Sequence, residues 1–149
     1  EVIKNWVKKG GVLMLFANDS NNCEFRNMNK LARRFGITFI ENSKNRVKGK
    51  EYETVAFSKF PNHPIFSGLN KIFLKEICTI SVKAPAKSLF ISGKDVVIAG
   101  VDYGKGYVFA VGDPWFYNEY IDHRRLPEEF ENDKAAKNIF GWLFSRFIK

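Results

Sequence analysis

Groups able to bind metals or carry out redox chemistry are scarce in this sequence, which has two cysteines and two histidines in 149 residues. Cys23 and Cys78 are too few for a disulfide framework and form no CxxC pair, so a structural zinc site is not expected. Long apolar runs are also missing. The longest, as at Val12 to Ala17, reaches six residues, against the roughly 20 needed for a membrane-spanning helix. Acidic residues are in deficit, with 16 against 24 basic ones for a net charge of +8. Such a surplus attracts polyanions. However, there is no basic recognition helix or aromatic ribonucleoprotein motif, so nucleic acid is not an expected partner. No glycine-rich loop leads into a helix, so no nucleotide or other cofactor is expected. The chain opens on Glu1 rather than Met and shows no basic-then-apolar leader, which reads as a processed product or a piece of a longer chain.

What is abundant is apolar and aromatic content, 45% and 15%. At this length that suffices for one domain over 1–149 with a sizeable core. Val2, Ile3, Trp6 and Val7 recur at helical spacing, and Gly10-Gly11 supplies a helix exit. The unbroken apolar run 12–17 predicts a strand covered on both faces. Asn18 to Asn22 follows as a polar loop, and open α/β sheets place ligand crevices at such strand ends. Asn21 and Glu24 have capping-box spacing, with the apolar stripe Phe25, Met28, Leu31, Ala32 and Phe35 behind them and Gly36 as the stop. A second strand is expected over 37–40.

Lys44, Arg46, Lys48 and Lys50 alternate and would share one face of an extended segment. That face suits a polyanion, but lysines also guard edge strands against pairing. The Phe60 to Leu69 stretch is stiffened by Pro61 and Pro64, with His63 between them. Further strands are expected over 72–82, 88–91 and 96–101, and Tyr103-Gly104-Lys105-Gly106 reads as a hairpin turn into another. Pro127-Glu128-Glu129 suits a helix start. Ala135, Ala136, Ile139, Phe140, Leu143 and Phe147 continue it as core-facing positions.

Three short patterns together resemble a known superfamily. They are Trp6-Val7 with Gly10-Gly11, His63-Pro64-Ile65 with Gly68-Leu69, and Tyr103-Gly104 with Gly106, Val108 and Ala110. The combination resembles the class I glutamine-amidotransferase-like superfamily, including its trehalose-utilisation-like branch. The more specific block is Gly112-Asp113-Pro114-Trp115-Phe116-Tyr117-Asn118-Glu119-Tyr120-Ile121-Asp122. It is similar to the domain attached to bacterial unsaturated rhamnogalacturonyl hydrolases. The resemblance implies a flavodoxin-like three-layer α/β sandwich with a mainly parallel sheet, an antiparallel hairpin addition and its first unit missing at the N-terminus. It also implies a secreted or periplasmic location and a parent glycoside hydrolase whose catalytic domain lies upstream. Amidotransferase chemistry needs a cysteine on a sharp strand-to-helix turn with a His and Glu to activate it, and Cys23 in Asn21-Asn22-Cys23-Glu24-Phe25 does not match.

The candidate site is the segment 113–122. Trp115, Tyr117 and Tyr120 offer flat apolar faces beside Asp113, Asn118, Glu119 and Asp122, the mixture that a saccharide or acidic polysaccharide presents in complement. Asn18 and Asp19 are added because their loop follows another strand. Their oxygens would also suit calcium, although with Asn21 they lack a regular ligand spacing. Asp113 with Glu119 or Asp122 would serve as acid and base on a glycosidic bond, and Cys23 is a remoter nucleophile. In the opposing reading Trp115 and Tyr117 plug the core, Asp113 caps a turn and Asn118 binds backbone. The sequence thus points to a non-catalytic accessory domain of a pectin- or rhamnogalacturonan-related protein, packing on a partner or binding saccharide. The alternative is a stand-alone glycan hydrolase.

Overall fold

A computed structural model of the chain describes residues 1–115 and 118–147. Helix α1 (Val2–Lys8) precedes strand β1 (Val12–Phe16), helix α2 (Phe25–Ala32) and strand β2 (Ile37–Lys44). A two-stranded ladder of β3 (Ala56–Phe57) and β4 (Ile72–Phe73) then interrupts the main sheet. The sheet resumes with β5 (Ile77–Val82), β6 (Lys87–Ser92), β7 (Asp95–Tyr103) and β8 (Gly106–Val111), and α3 (Asn132–Phe147) closes the chain.

The three layers follow from the alternation of β8. Its Tyr107, Phe109 and Val111 point into a core shared with Ala135, Ile139 and Leu143 of α3. Val108 and Ala110 point the other way, into a core with Phe25 and Ala32 of α2, Phe35 and Val7 of α1. A strand shows alternate residues to opposite faces, so an all-apolar β8 must be covered on both. The expected α/β, flavodoxin-like class is therefore what the chain forms. Strand order is β1-β8-β7-β5-β2, with β6 on β7, and the sheet is mixed. β1 and β8 run parallel, whereas β7–β8, β6–β7, β5–β7 and β2–β5 pair antiparallel. Antiparallel pairing thus extends beyond the single hairpin expected. One cause is a second two-residue connection, Gly93-Lys94 between the paired Ser92 and Asp95, matching Gly104-Lys105 between Tyr103 and Gly106.

Four local expectations shift. Helix α2 begins one turn later than the capping box implied: Glu24 is itself the cap, its carboxylate accepting from Arg26 and Asn27 N–H, while the Asn21 side chain bonds Asp19. The basic alternation does not lie on one extended face, because β2 ends at Lys44 and Asn45 turns the chain at φ 55°. Asn45 holds that turn through side-chain bonds to the carbonyls of Val55 and Leu74. Helix α3 starts at Asn132, not at Pro127, since buried Leu126 and Phe130 pin the preceding turn against Val55 and Phe73. Finally, Phe140 is partly exposed on α3 rather than wholly core, as is its neighbour Phe144.

Candidate functional site

Strands β1 and β8 are parallel with Phe16 opposite Val111, so the loops beginning at Asn18 and Asp113 leave the sheet at the same end. The two loops named from sequence therefore share one edge. Gly112 is the hinge between them and β5: its carbonyl accepts from Cys78 N–H at 3.0 Å, and a Cβ there would lie 1.9 Å from the Cys78 oxygen. Only glycine permits that approach.

Asp19 is buried, and its carboxylate ties the β1 loop to β2. It accepts from Ser43 Oγ at 2.7 Å, from Asn22 Nδ2 at 2.7 Å and from Asn21 N–H at 3.3 Å, and Arg46 backs Ser43. Burial acts to raise its pKa, but these donors and the Arg46 charge outweigh it and hold the carboxyl below its ordinary range. Asn18 bonds the Asp19 N–H through its own side chain at 2.8 Å. The loop's oxygens thus close on the loop itself.

The segment after β8 repeats this device. Asp113 Oδ1 accepts from Trp115 N–H at 2.7 Å, Asn118 Oδ1 from Tyr120 N–H at 2.9 Å, and Asp122 Oδ1 from Arg124 N–H at 3.1 Å. In each case the side chain bonds backbone two residues on, the Asx-turn geometry that these short polar residues favour. Asp113 is 3% exposed, and burial pushes its carboxyl up to about 8 despite the bond to Trp115. Trp115 lies in the core at 1% exposure. Tyr120 packs on Phe73, with Lys75 Nζ 5.2 Å above its ring. Asp122 is engaged by Arg124 Nε at 2.8 Å, and Glu119 lies 3.8 Å from Arg125. Tyr117 lies outside the described residues.

Cys23 sits one residue before the α2 cap, half-buried against the core, rather than on the first helical turn. Cys78, which the sequence did not single out, is wholly buried nearby. Desolvation first, then the charges of Cys23, Asp113 and Asp19, push its thiol up to about 12, so it stays protonated. The Nδ1 of His63 accepts from Ile65 N–H, and its ring packs on Trp142. Among the described residues no group of three His, Cys, Asp or Glu is placed to hold a metal. None of the described helices is long and apolar enough to cross a membrane.

The residue that reasoning from sequence missed is Asn132. Its side chain bonds both Phe73 N–H and Phe73 C=O, and also the Tyr120 carbonyl, bolting the candidate loop to β4 and α3. An asparagine just upstream of an apolar helical stripe was the available signal.

No model of a known protein family matches the chain, and no curated protein matches it in sequence. Solved structures do match. The N-terminal domain of mmIFT52 superposes with a TM-score of 0.72 at 22% identity, over 95% of this chain and 68% of that one. The cytoplasmic protein STM1381 from Salmonella typhimurium LT2 gives 0.63 at 16%, over 95% of this chain and 59% of that one. Gan42B, a GH42 beta-galactosidase from G. stearothermophilus, gives 0.54 at 17%, over 96% of this chain and 18% of that one. The expected secreted or periplasmic location is corrected by these matches, since STM1381 is described as cytoplasmic and the fold therefore carries no extracytoplasmic address. At these identities the likeness establishes the fold alone, an α/β domain of flavodoxin-like class.

Proposed function

We propose that the chain is a non-catalytic accessory domain of a carbohydrate-processing protein and works by packing on a partner. The observation that carries this reading is how the loop after β8 uses its oxygens. Asp113, Asn118 and Asp122 each cap the backbone two residues on, and Asp113 is buried besides. A general acid or base must bring its carboxyl within hydrogen-bond reach of the substrate. A carboxyl locked into an Asx turn builds the loop instead. The setting is supported by Gan42B, where a domain of this fold occupies 18% of a beta-galactosidase chain. The Gly112 to Asp122 block narrows it to a pectin- or rhamnogalacturonan-related protein through its resemblance to the domain attached to rhamnogalacturonyl hydrolases.

The test is incubation with oligogalacturonides and rhamnogalacturonan fragments, followed by reducing-end release and by NMR of the labelled protein. No turnover is expected. Turnover that disappears in the D113N/E119Q/D122N triple variant would replace this reading with that of a glycan hydrolase.

A further inference from the structure

A cleft of about 380 Å³ lies on the face of the sheet that α3 covers, between β6, β7 and α3. Ligand pockets run from roughly 300 to 1,000 Å³, so this one has room for a single small ring. It is set apart from the Asp113 loop by the length of β8. Gly100 of β7 and Tyr107 of β8 both line it, and the Tyr107 phenol lies across the glycine: a Cβ on Gly100 would be 2.0 Å from the Tyr107 hydroxyl.

The unmet group in this cleft is that hydroxyl. Tyr107 is 4% exposed, yet its hydroxyl makes no hydrogen bond among the described residues. A buried phenol normally finds a partner. Burial first, and the Asp102 charge second, push it up to about 12, so at neutral pH it keeps its proton and can donate. His63 supplies a second donor: its Nδ1 accepts from Ile65 N–H, which leaves the proton of the neutral ring on Nε2. Lys87 and Arg146 bring two cations, and Asp102, 3.3 Å from Arg146, is the one acid in the lining. The cleft is therefore one positive charge in excess. Leu89 and Trp142 give it an apolar wall.

The rim carries the same sign. Lys105 occupies the turn between β7 and β8, and Lys83 follows β5 with its carbonyl against Gly36. Arg33 and Arg34 precede Phe35, whose ring meets Tyr103 at 5.1 Å. These four are exposed, as is Lys87, and none of the five makes an ion pair among the described residues.

One surplus positive charge matches a carboxylate better than a doubly charged phosphate. The two donors and the Asp102 oxygens suit hydroxyl groups, and the apolar wall suits the C–H face of a ring. We propose that the cleft binds a sugar acid, one hydroxylated ring bearing one carboxylate, either free or as a unit of an acidic polysaccharide. The carboxylate sits between Lys87 and Arg146, the hydroxyls bond Tyr107, His63 and Asp102, and in a polymer the next carboxylates meet Lys83 and Lys105. The inference rests on the carbohydrate setting proposed above and adds the class of sugar and where it binds.

The test titrates galacturonate, glucuronate and their short oligomers into the labelled protein, with galactose, acetate and inorganic phosphate at the same concentrations for comparison. The uronates are expected to move the amide signals of Gly100, Val101 and Tyr107 and the indole signal of Trp142, while the three comparison compounds leave them in place. Oligomers that bind more tightly than the monomers identify the polymer as the source, and equal affinity identifies the free acid. Tyr107→Phe keeps the buried ring and removes only the hydroxyl, so the fold is retained, and it should weaken binding by about tenfold. Lys87→Gln should do the same, whereas Lys50→Gln, an exposed lysine outside the cleft, should change nothing. Binding should fall with salt. No uronate binding, shifts confined to residues outside the cleft, or binding indifferent to Tyr107→Phe and Lys87→Gln overturns the proposal. So does phosphate or acetate binding as tightly as the uronates, which would make the cleft a general anion site. Turnover of the oligomers would sink the non-catalytic reading while leaving the cleft assignment standing, and absent binding without turnover would sink the cleft assignment alone.

Discussion

Replacing Asp113 with asparagine should stabilise the protein at neutral pH and above. The carboxyl is 3% exposed, accepts from Trp115 N–H at 2.7 Å, and is pushed by burial from its ordinary 3.8 up to about 8. Between those values the folded protein keeps a proton that the unfolded chain has released. The folded state then binds more protons, so stability is greatest below 3.8, declines as pH rises through the window, and is lowest above about 8. At 1.36 kcal/mol per pH unit the ceiling is roughly 6 kcal/mol. Structural relaxation and water entry reduce this, leaving on the order of 2–4 kcal/mol. Asparagine retains the oxygen that Trp115 N–H needs and cannot ionise. Urea unfolding of both proteins should give similar stabilities near pH 4 and a widening advantage for D113N towards about pH 8, by roughly 2–4 kcal/mol. Other titrating groups cancel in the comparison. Parallel pH profiles would refute the reasoning, because they would mean that Asp113 is solvated or already compensated when charged.

Three further outcomes follow from the same contacts. Gly112→Ala should cost about 3 kcal/mol or more in urea unfolding, since its Cβ would lie 1.9 Å from the Cys78 oxygen and must push the chain after β8 away from Cys78 of β5. Asn132→Ala removes buried bonds to Phe73 and Tyr120 and should cost roughly 2–4 kcal/mol, with amide exchange speeding up across residues 118–122 before the rest of the sheet. His63 has its pKa held below 6.5 by burial first and by the Arg146 charge second, and its Nδ1 accepts from Ile65 N–H at 3.3 Å. Its contribution is complete above 6.5 and is lost as pH falls towards the lower folded value. An NMR titration should therefore place the His63 midpoint below 6.5; a midpoint at or above that value would contradict the packing on Trp142.

Much of the fold was legible in the sequence. The stripe from Phe25 to Phe35 with its Gly36 stop, the unbroken run at β1, and the Tyr103 to Gly106 turn depend on interactions within a few residues, which periodicity and turn chemistry report directly. The start of α3 was misplaced because Pro127-Glu128-Glu129 has the local chemistry of a helix start, while contacts of Leu126 and Phe130 with Phe73, over 50 positions away, fix the turn there. The candidate loop was legible only as a place where polar groups concentrate. Whether those groups face a ligand or their own backbone was not legible, because an Asx turn and a ligand-binding carboxylate have the same composition.

The sequence by itself determined an α/β domain, a strand over 12–17, an excess of positive charge and no basis for a zinc or disulfide framework. Composition and short-range periodicity suffice for that. Only the tertiary structure decided that Asp113 is buried and Asp19 is saturated with donors. It likewise decided that Asn132 bolts the loop and that β1 lies beside β8. Each of these depends on which distant segments meet. Strand order and burial arise from long-range pairing, whose energy lies in contacts between segments and not in any local run of residues.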